Sequence, residues 1–350
     1  MSFIFLLLVS LFYPGESKEL IKKLTNPAPL TSSVLISGEK LELFVTGLDR
    51  FGTNGLIIFA QKEKLVKYYD LNNGILSTFA RSGEGPGEFR DGYVLGSVVN
   101  DLVVVQEWAT RQTKAINQRG ESWIAFETRW PIRSLIPLSE RYVVGMLANP
   151  GMAYWNGNYT KKKLPNDSMI LFEKGENGHS WNFHGTFYNE DFADEFDFDS
   201  IVGIRTNLYP IRNTTQFYRV PFQTSPVFQI MDVSGQVVRE LPLPHPLASE
   251  IPNSVAARLK LYREKNVKYI IDASVDRFGK LHLVLANIRD VEVDYSRRLG
   301  VVIDEFGTVE RAFLLDRPIK RLVVSEDGSR YFGVDAEEDA LLVFQIPPEE

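Results

Sequence analysis

The chain has no cysteine and only four histidines in 350 residues. The absence of cysteine excludes disulfides, a thiol nucleophile and a lipid-attachment cysteine behind a signal sequence. An exported form must therefore stand on its hydrophobic core, which a chain of this length can bury. Positive charge is also scarce: 39 Lys and Arg stand against 45 Asp and Glu, for a net charge of −6. The basic run Lys161-Lys162-Lys163 is too short for a surface that tracks phosphates, so nucleic acid is not expected as a partner. The apolar run FIFLLLVSLFY at 3–13 is shorter than the roughly 20 residues a spanning helix needs. It is followed by Pro14, Gly15 and Ser17, small residues two apart in the manner of a signal-peptidase site. Residues 1–17 are thus expected to be a signal peptide, with export to the periplasm or beyond and no transmembrane span in the mature chain. No Lys or Arg precedes the run, and a buried first strand is the competing reading.

What the chain does have is a degenerate repeat. Strand-like runs are broken by an acidic residue and, within a few positions, a glycine: LDRFGTNGLIIF at 48–59, VDRFGKLHLV at 275–284, IDEFGTVERAFLL at 303–315. MDVSGQVVRELPL at 231–243 keeps the spacing, and weaker copies start at Tyr69 and Ile116. Strand–turn–strand units recurring at this scale predict a repeat architecture. The 23 Phe and 14 Tyr suit strands packed between sheets.

Residues 18–31 read as a polar leader. Beyond it the chain divides into units of four short strands, the first running LELFVTGLD, GLIIFAQ, KLVKYYDL and ILSTFAR. Five such units are complete. The sixth supplies only IKRLVVSED, RYFGVDAE and ALLVFQI, while SSVLIS at 32–37 is a strand with no local partner. Letting that orphan fill the vacancy closes the ring and removes its open edges. The fold expected is all-β, a single six-bladed β-propeller over 32–346 with four-stranded antiparallel blades, or seven blades if 149–200 hides another. Insertions at 149–167, 189–200 and 248–268 lengthen the units, and in radial repeats such segments gather on one rim and often bind. The sequons at Asn158, Asn166 and Asn213 mark exposed loops.

The string Ser82-Gly83-Glu84-Gly85-Pro86-Gly87-Glu88-Phe89, between the first two units, resembles the G-x-G-P-G-E-F loop of bacterial six-bladed β-propellers related to NHL repeats. The resemblance implies a six-bladed ring in an exported bacterial protein and no particular activity. Three glycines could cradle a phosphate, but a dinucleotide loop joins a strand to a helix, and here β-type segments flank both sides. Gly83, Gly85, Pro86, Gly87 and Phe89 are read instead as a tight crossing between blades, with glycines at positive φ and Phe89 packed between sheets.

Chemistry-bearing patterns are few. There is no G-x-S-x-G elbow, and His179, His184, His245 and His282 do not form zinc pairings. His282, in KLHLVLA, reads as a satisfied strand histidine. Asp194, Asp197 and Asp199 crowd into NEDFADEFDFDS and offer the hard oxygen ligands of Ca²⁺, though not in EF-hand order. The interleaved Phe192, Phe196 and Phe198 suggest a loop that docks on the ring or a partner. Asp49, Asp101, Glu140, Asp276 and Glu326 close inner strands, where gluconolactonase-like and amidating-lyase-like propellers hold a metal. Each lies in a repeat turn, where Asp caps backbone amides locally. The expectation is a monomeric binding or scaffold module for an unknown protein or small ligand, with no cofactor required. A divalent-ion hydrolase or lyase is the alternative.

Overall fold

The structure, a computed structural model, describes residues 27–90, 93–107, 110–127, 132–147, 167–176, 179–189, 206–212, 214–221, 227–242, 270–285 and 298–348. The expected signal peptide, residues 192–199 with their Phe and Asp candidates, the segment 248–268, His245 and the three sequon asparagines lie outside them.

Strands β1 (Ala28–Leu30) and β2 (Ser32–Ile36) precede one helical turn, α1 (Gly38–Leu41). Blade 1 comprises β3 (Gly47–Phe51), β4 (Gly55–Ala60), β5 (Leu65–Asp70) and β6 (Ile75–Ser82), with β7 (Glu88–Phe89) added in parallel outside. Blade 2 follows as β8 (Tyr93–Val99), β9 (Leu102–Glu107), β10 (Gln112–Ile116) and β11 (Ser122–Glu127). Blade 3 is β12 (Ile132–Pro137), β13 (Tyr142–Leu147), β14 (Asp167–Lys174) and β15 (Trp181–Asn189). Blade 4 is β16 (Thr206–Pro210), β17 (Gln216–Pro221), β18 (Val227–Asp232) and β19 (Val237–Pro242). Blade 5 is β20 (Ile270–Val275), β21 (Leu281–Leu285), β22 (Leu299–Ile303) and β23 (Val309–Leu315). Blade 6 has β24 (Ile319–Val324), β25 (Arg330–Asp335) and β26 (Leu341–Gln345), and β2 is its fourth strand. There are six blades. The 149–200 region supplies strands of blade 3 rather than a seventh.

The first strand of each blade touches the first strand of the next, from β3 through β8, β12, β16, β20 and β24 back to β3. The burial pattern follows from this radial stacking. Second strands are covered on both faces by neighbouring blades and so lose alternation; β4 (GLIIFA) and β21 (LHLVL) are buried along their whole length. Outer strands face water: β19 buries one residue of six, Leu241. The apolar side chains divide into six clusters, each filling the gap between two successive blades.

Closure uses the N-terminal segment twice. Strand β2 pairs antiparallel with β26, placing Ser32 opposite Phe344 and Ile36 opposite Leu341. The end of the expected leader is itself a strand: β1 lies parallel to β23 on the edge of blade 5. Asp316 Oδ2 accepts the Ser32 amide at 3.0 Å between the two, so one short segment stitches blade 5 to blade 6.

The repeat seen in sequence is a turn. At Asp232, Asp276 and Asp304, Oδ1 accepts the amides two and four residues on, and the glycine three residues on has φ of 81, 81 and 88°. These hairpins lie at one end of the ring, where the first and third strands of blades 1–5 turn into the second and fourth. The strand ends flanking 148–166, 190–205, 243–269 and 286–297 all lie at the other end. Among the described residues no helix is long and apolar enough to cross a membrane.

Candidate functional site

Polar side chains on the six inner strands bridge every junction of the ring, each reaching the next blade. Asp49 Oδ2 accepts the Val98 amide at 3.0 Å, and Ser97 Oγ donates to the Leu135 carbonyl at 2.8 Å. Ser134 Oγ accepts the Leu208 amide at 3.4 Å, and Tyr209 Oη donates to Asp272 Oδ1 at 3.5 Å. Asp272 Oδ2 and Ser274 Oγ accept the Leu322 and Val324 amides at 2.9 and 3.1 Å. Arg321 Nε completes the circle by donating to the Thr46 carbonyl at 2.7 Å.

Two carboxylates in this circle are electrostatically unusual. Burial pushes Asp49 up to about 6, against the pull of the Val98 and Arg50 amides and the Arg50 charge; Asp272 adds a smaller push. Burial also raises Asp272, although the Arg321 charge and the Leu322 amide oppose it. A carboxylate that gives its oxygens to buried amides and is biased toward its neutral form is a fastening group in the first instance.

The expectation that all five inner-strand acids sit in repeat turns needs correction at Asp49. Asp276 behaves as expected: it closes a turn, and its Oδ2 faces His282 Nε2 at 3.1 Å. Asp49 opens the same tetrapeptide, D-R-F-G, but its strand is registered two residues further along. Phe51 pairs with Gly55 where Asp276 meets Lys280, so Asp49 falls inside the strand. The exposures of the two phenylalanines record the slip: Phe51 is 4% exposed and Phe278 61%. Asp101 and Glu140 are exposed turn residues, and Glu326 pairs with Arg212. Asp272 escaped the sequence reading; its only signal is a lone carboxylate inside the apolar run IIDASV.

His282 is a satisfied strand histidine. Its Nδ1 faces Tyr331 Oη at 3.0 Å while Nε2 meets Asp276. Burial works to raise Asp276, but the bond to His282, the His282 charge and the Lys280 and Phe278 amides outweigh it and hold the carboxyl below its ordinary range.

The glycine loop leaves blade 1 at the end that carries the long connections. Phe89 is fully buried in the core between blades 1 and 2. Of the three glycines only Gly87 has positive φ, at 73°, and a Cβ there would lie 2.8 Å from the Gly120 carbonyl oxygen. Gly85 and Pro86 are exposed, and Gly83 donates its amide to the Phe89 carbonyl at 3.0 Å. The loop holds an anion of its own: Glu88 accepts the Gly85 amide at 2.7 Å and Arg81 Nε at 2.8 Å. Those two bonds keep the Glu88 carboxyl below its usual range.

No protein-family profile and no curated protein matches the chain by sequence. Solved structures do match. A gluconolactonase from Xanthomonas campestris superposes with a TM-score of 0.55 at 11% identity, over 94% of this chain and 93% of that one. A calcium-binding regucalcin from Agrobacterium tumefaciens gives 0.52 at 9%, over 91% and 94%. A protein of unknown function from Bacteroides thetaiotaomicron gives 0.52 at 10%, over 90% and 75%. The likeness is one of fold.

A divalent ion is the group this fold brings to mind, and the donors can be tested for it. Among the described residues no three His, Asp or Glu side chains converge on one point. Asp49 and Asp272 hold amides of the next blade and are biased toward the neutral form, which is the wrong state for a cation ligand. The described donor set does not fit a divalent ion.

Proposed function

We propose that this protein is an exported binding module, a closed propeller that presents one end of its ring to a protein or small ligand. The observation that carries the reading is the division of labour between the two ends and the axis. The inner-strand carboxylates are committed to joining blades, and four long connections leave from the same end of the ring. Loops grafted on one face of a rigid scaffold are where such folds place recognition. Phe192, Phe196 and Phe198 belong to one of those connections, and the signal-like N-terminus supports export. The G-x-G-P-G-E-F loop supports a relation to the NHL-repeat propellers.

A second reading is a divalent-ion hydrolase of the lactonase kind. It is favoured by the fold of the gluconolactonase and the regucalcin, and by Asp49, whose pKa near 6 suits proton transfer close to neutrality. Metal content, melting curves with and without chelator, and a δ-lactone assay separate the two. A binding module melts identically after chelation and leaves lactone untouched. One ion per chain, a fall in melting temperature on chelation and metal-dependent lactone hydrolysis together would replace the first reading with the second.

A further inference from the structure

At the short-turn end of the ring, remote from the long connections, blades 1, 5 and 6 enclose a cleft of about 200 Å³. That is the room of roughly seven water molecules, smaller than a site for a drug-sized ligand. Its walls include Arg50, Arg277, Arg330, Glu326, Asp327 and Phe332. Ring closure alone brings the three arginines together, since they come from different blades.

The acids around the cleft are already engaged. Glu326 pairs with Arg212. Asp327 Oδ1 accepts the hydroxyls of Ser325 and Ser329 at 2.6 and 2.8 Å, and Asp276 is held by His282. The arginines have no such partners: among the described residues none of the three forms an ion pair. Arg277 and Arg330 lie over the rings of Phe278 and Phe332, 4.7 and 5.4 Å from their centroids, which supports the guanidinium faces and leaves their N–H edges available. Arg50 is mostly enclosed, and its Nη1 is shut away from solvent without an acceptor. A buried cationic donor left unpaired is costly, and an oxyanion in the cleft would supply what it lacks.

We propose that this cleft binds a small polyvalent oxyanion, a phosphate or a short dicarboxylate, with Arg50 as the enclosed donor and Arg277 and Arg330 supplying the rest. Planar guanidinium groups meet such oxygens two at a time, which selects oxyanions over halides. The site is separate from the recognition end described above and stands or falls without it.

Calorimetric titration of the full chain with inorganic phosphate, and separately with succinate, at low salt tests this. The expected result is saturable binding of at least one of them at one site per chain. The one that binds tells a phosphate from a carboxylate ligand. Arg50→Lys, and independently Arg277→Gln on an exposed turn, should each weaken it by roughly tenfold or more. Arg239→Gln, outside the cleft, should leave it unchanged. Binding of neither anion, or binding that both cleft substitutions leave intact, overturns the proposal.

Discussion

Replacing Asp49 with Asn tells a blade-joining carboxylate from a catalytic one. In the folded protein burial pushes Asp49 from its ordinary 3.8 up to about 6. Between those values the folded state keeps a proton that the unfolded chain has released, so stability falls as pH rises. The cost is absent below about pH 3.8 and fully developed above about pH 6. At about 1.4 kcal/mol per pH unit the interval is worth about 3 kcal/mol. This is a ceiling, because Asp49 keeps partial exposure. Asn never ionises and removes that slope. It also has one carbonyl oxygen for two amides, Val98 at 3.0 Å and Arg50 at 2.8 Å, and losing one bond costs about 1–2 kcal/mol. The variant should therefore be less stable than the parent near pH 4.5 and equal or more stable near pH 7.5. Urea unfolding followed by tryptophan fluorescence at both pH values reads the crossing directly. A stability difference that does not change with pH would refute the assignment of a raised pKa to Asp49. Loss of lactone hydrolysis with unchanged stability would make it catalytic instead.

Other expectations follow from the junctions. Phe89→Ala empties a fully buried site between blades 1 and 2 and should cost about 3–5 kcal/mol in chemical denaturation. Gly87→Ala puts a Cβ against the Gly120 carbonyl at positive φ, and a loss of about 1–3 kcal/mol should appear as a lower melting temperature. His282→Leu strands the Asp276 carboxylate and the Tyr331 hydroxyl, so a drop of about 2–4 kcal/mol is expected; a neutral result would mean that the pair is dispensable. Deleting residues 1–37 removes β1 and β2 and bares the β26 edge. Concentration-dependent self-association should then be visible by size exclusion, and a monodisperse truncated chain of parental stability would contradict closure by the N-terminal segment.

The blades were legible because each strand announces itself over five to eight residues through local pattern and turn chemistry. The closing role of β2 was legible as well, as a vacancy in the sixth unit matched by an orphan strand. What misled was identity without register. Two D-R-F-G strings look equivalent, yet one puts its aspartate in a turn and the other in the middle of an inner strand. Hairpin register depends on which residues the flanking strands can bury, and a shift of two keeps every side chain on its own face. Nothing local distinguishes the two outcomes.

The amino-acid order by itself determined the class of fold, the number of blades and the turns that separate their strands, because those depend on neighbours within a few residues. Only the closed ring decided that Asp49 and Asp272 serve the adjoining blade, that His282 joins Asp276 to Tyr331, and that Arg50, Arg277 and Arg330 face one cleft. Those contacts join residues far apart in sequence, up to 280 positions in the case of Arg50 and Arg330. They exist only once hydrophobic burial at all six junctions has brought the first and last blades together.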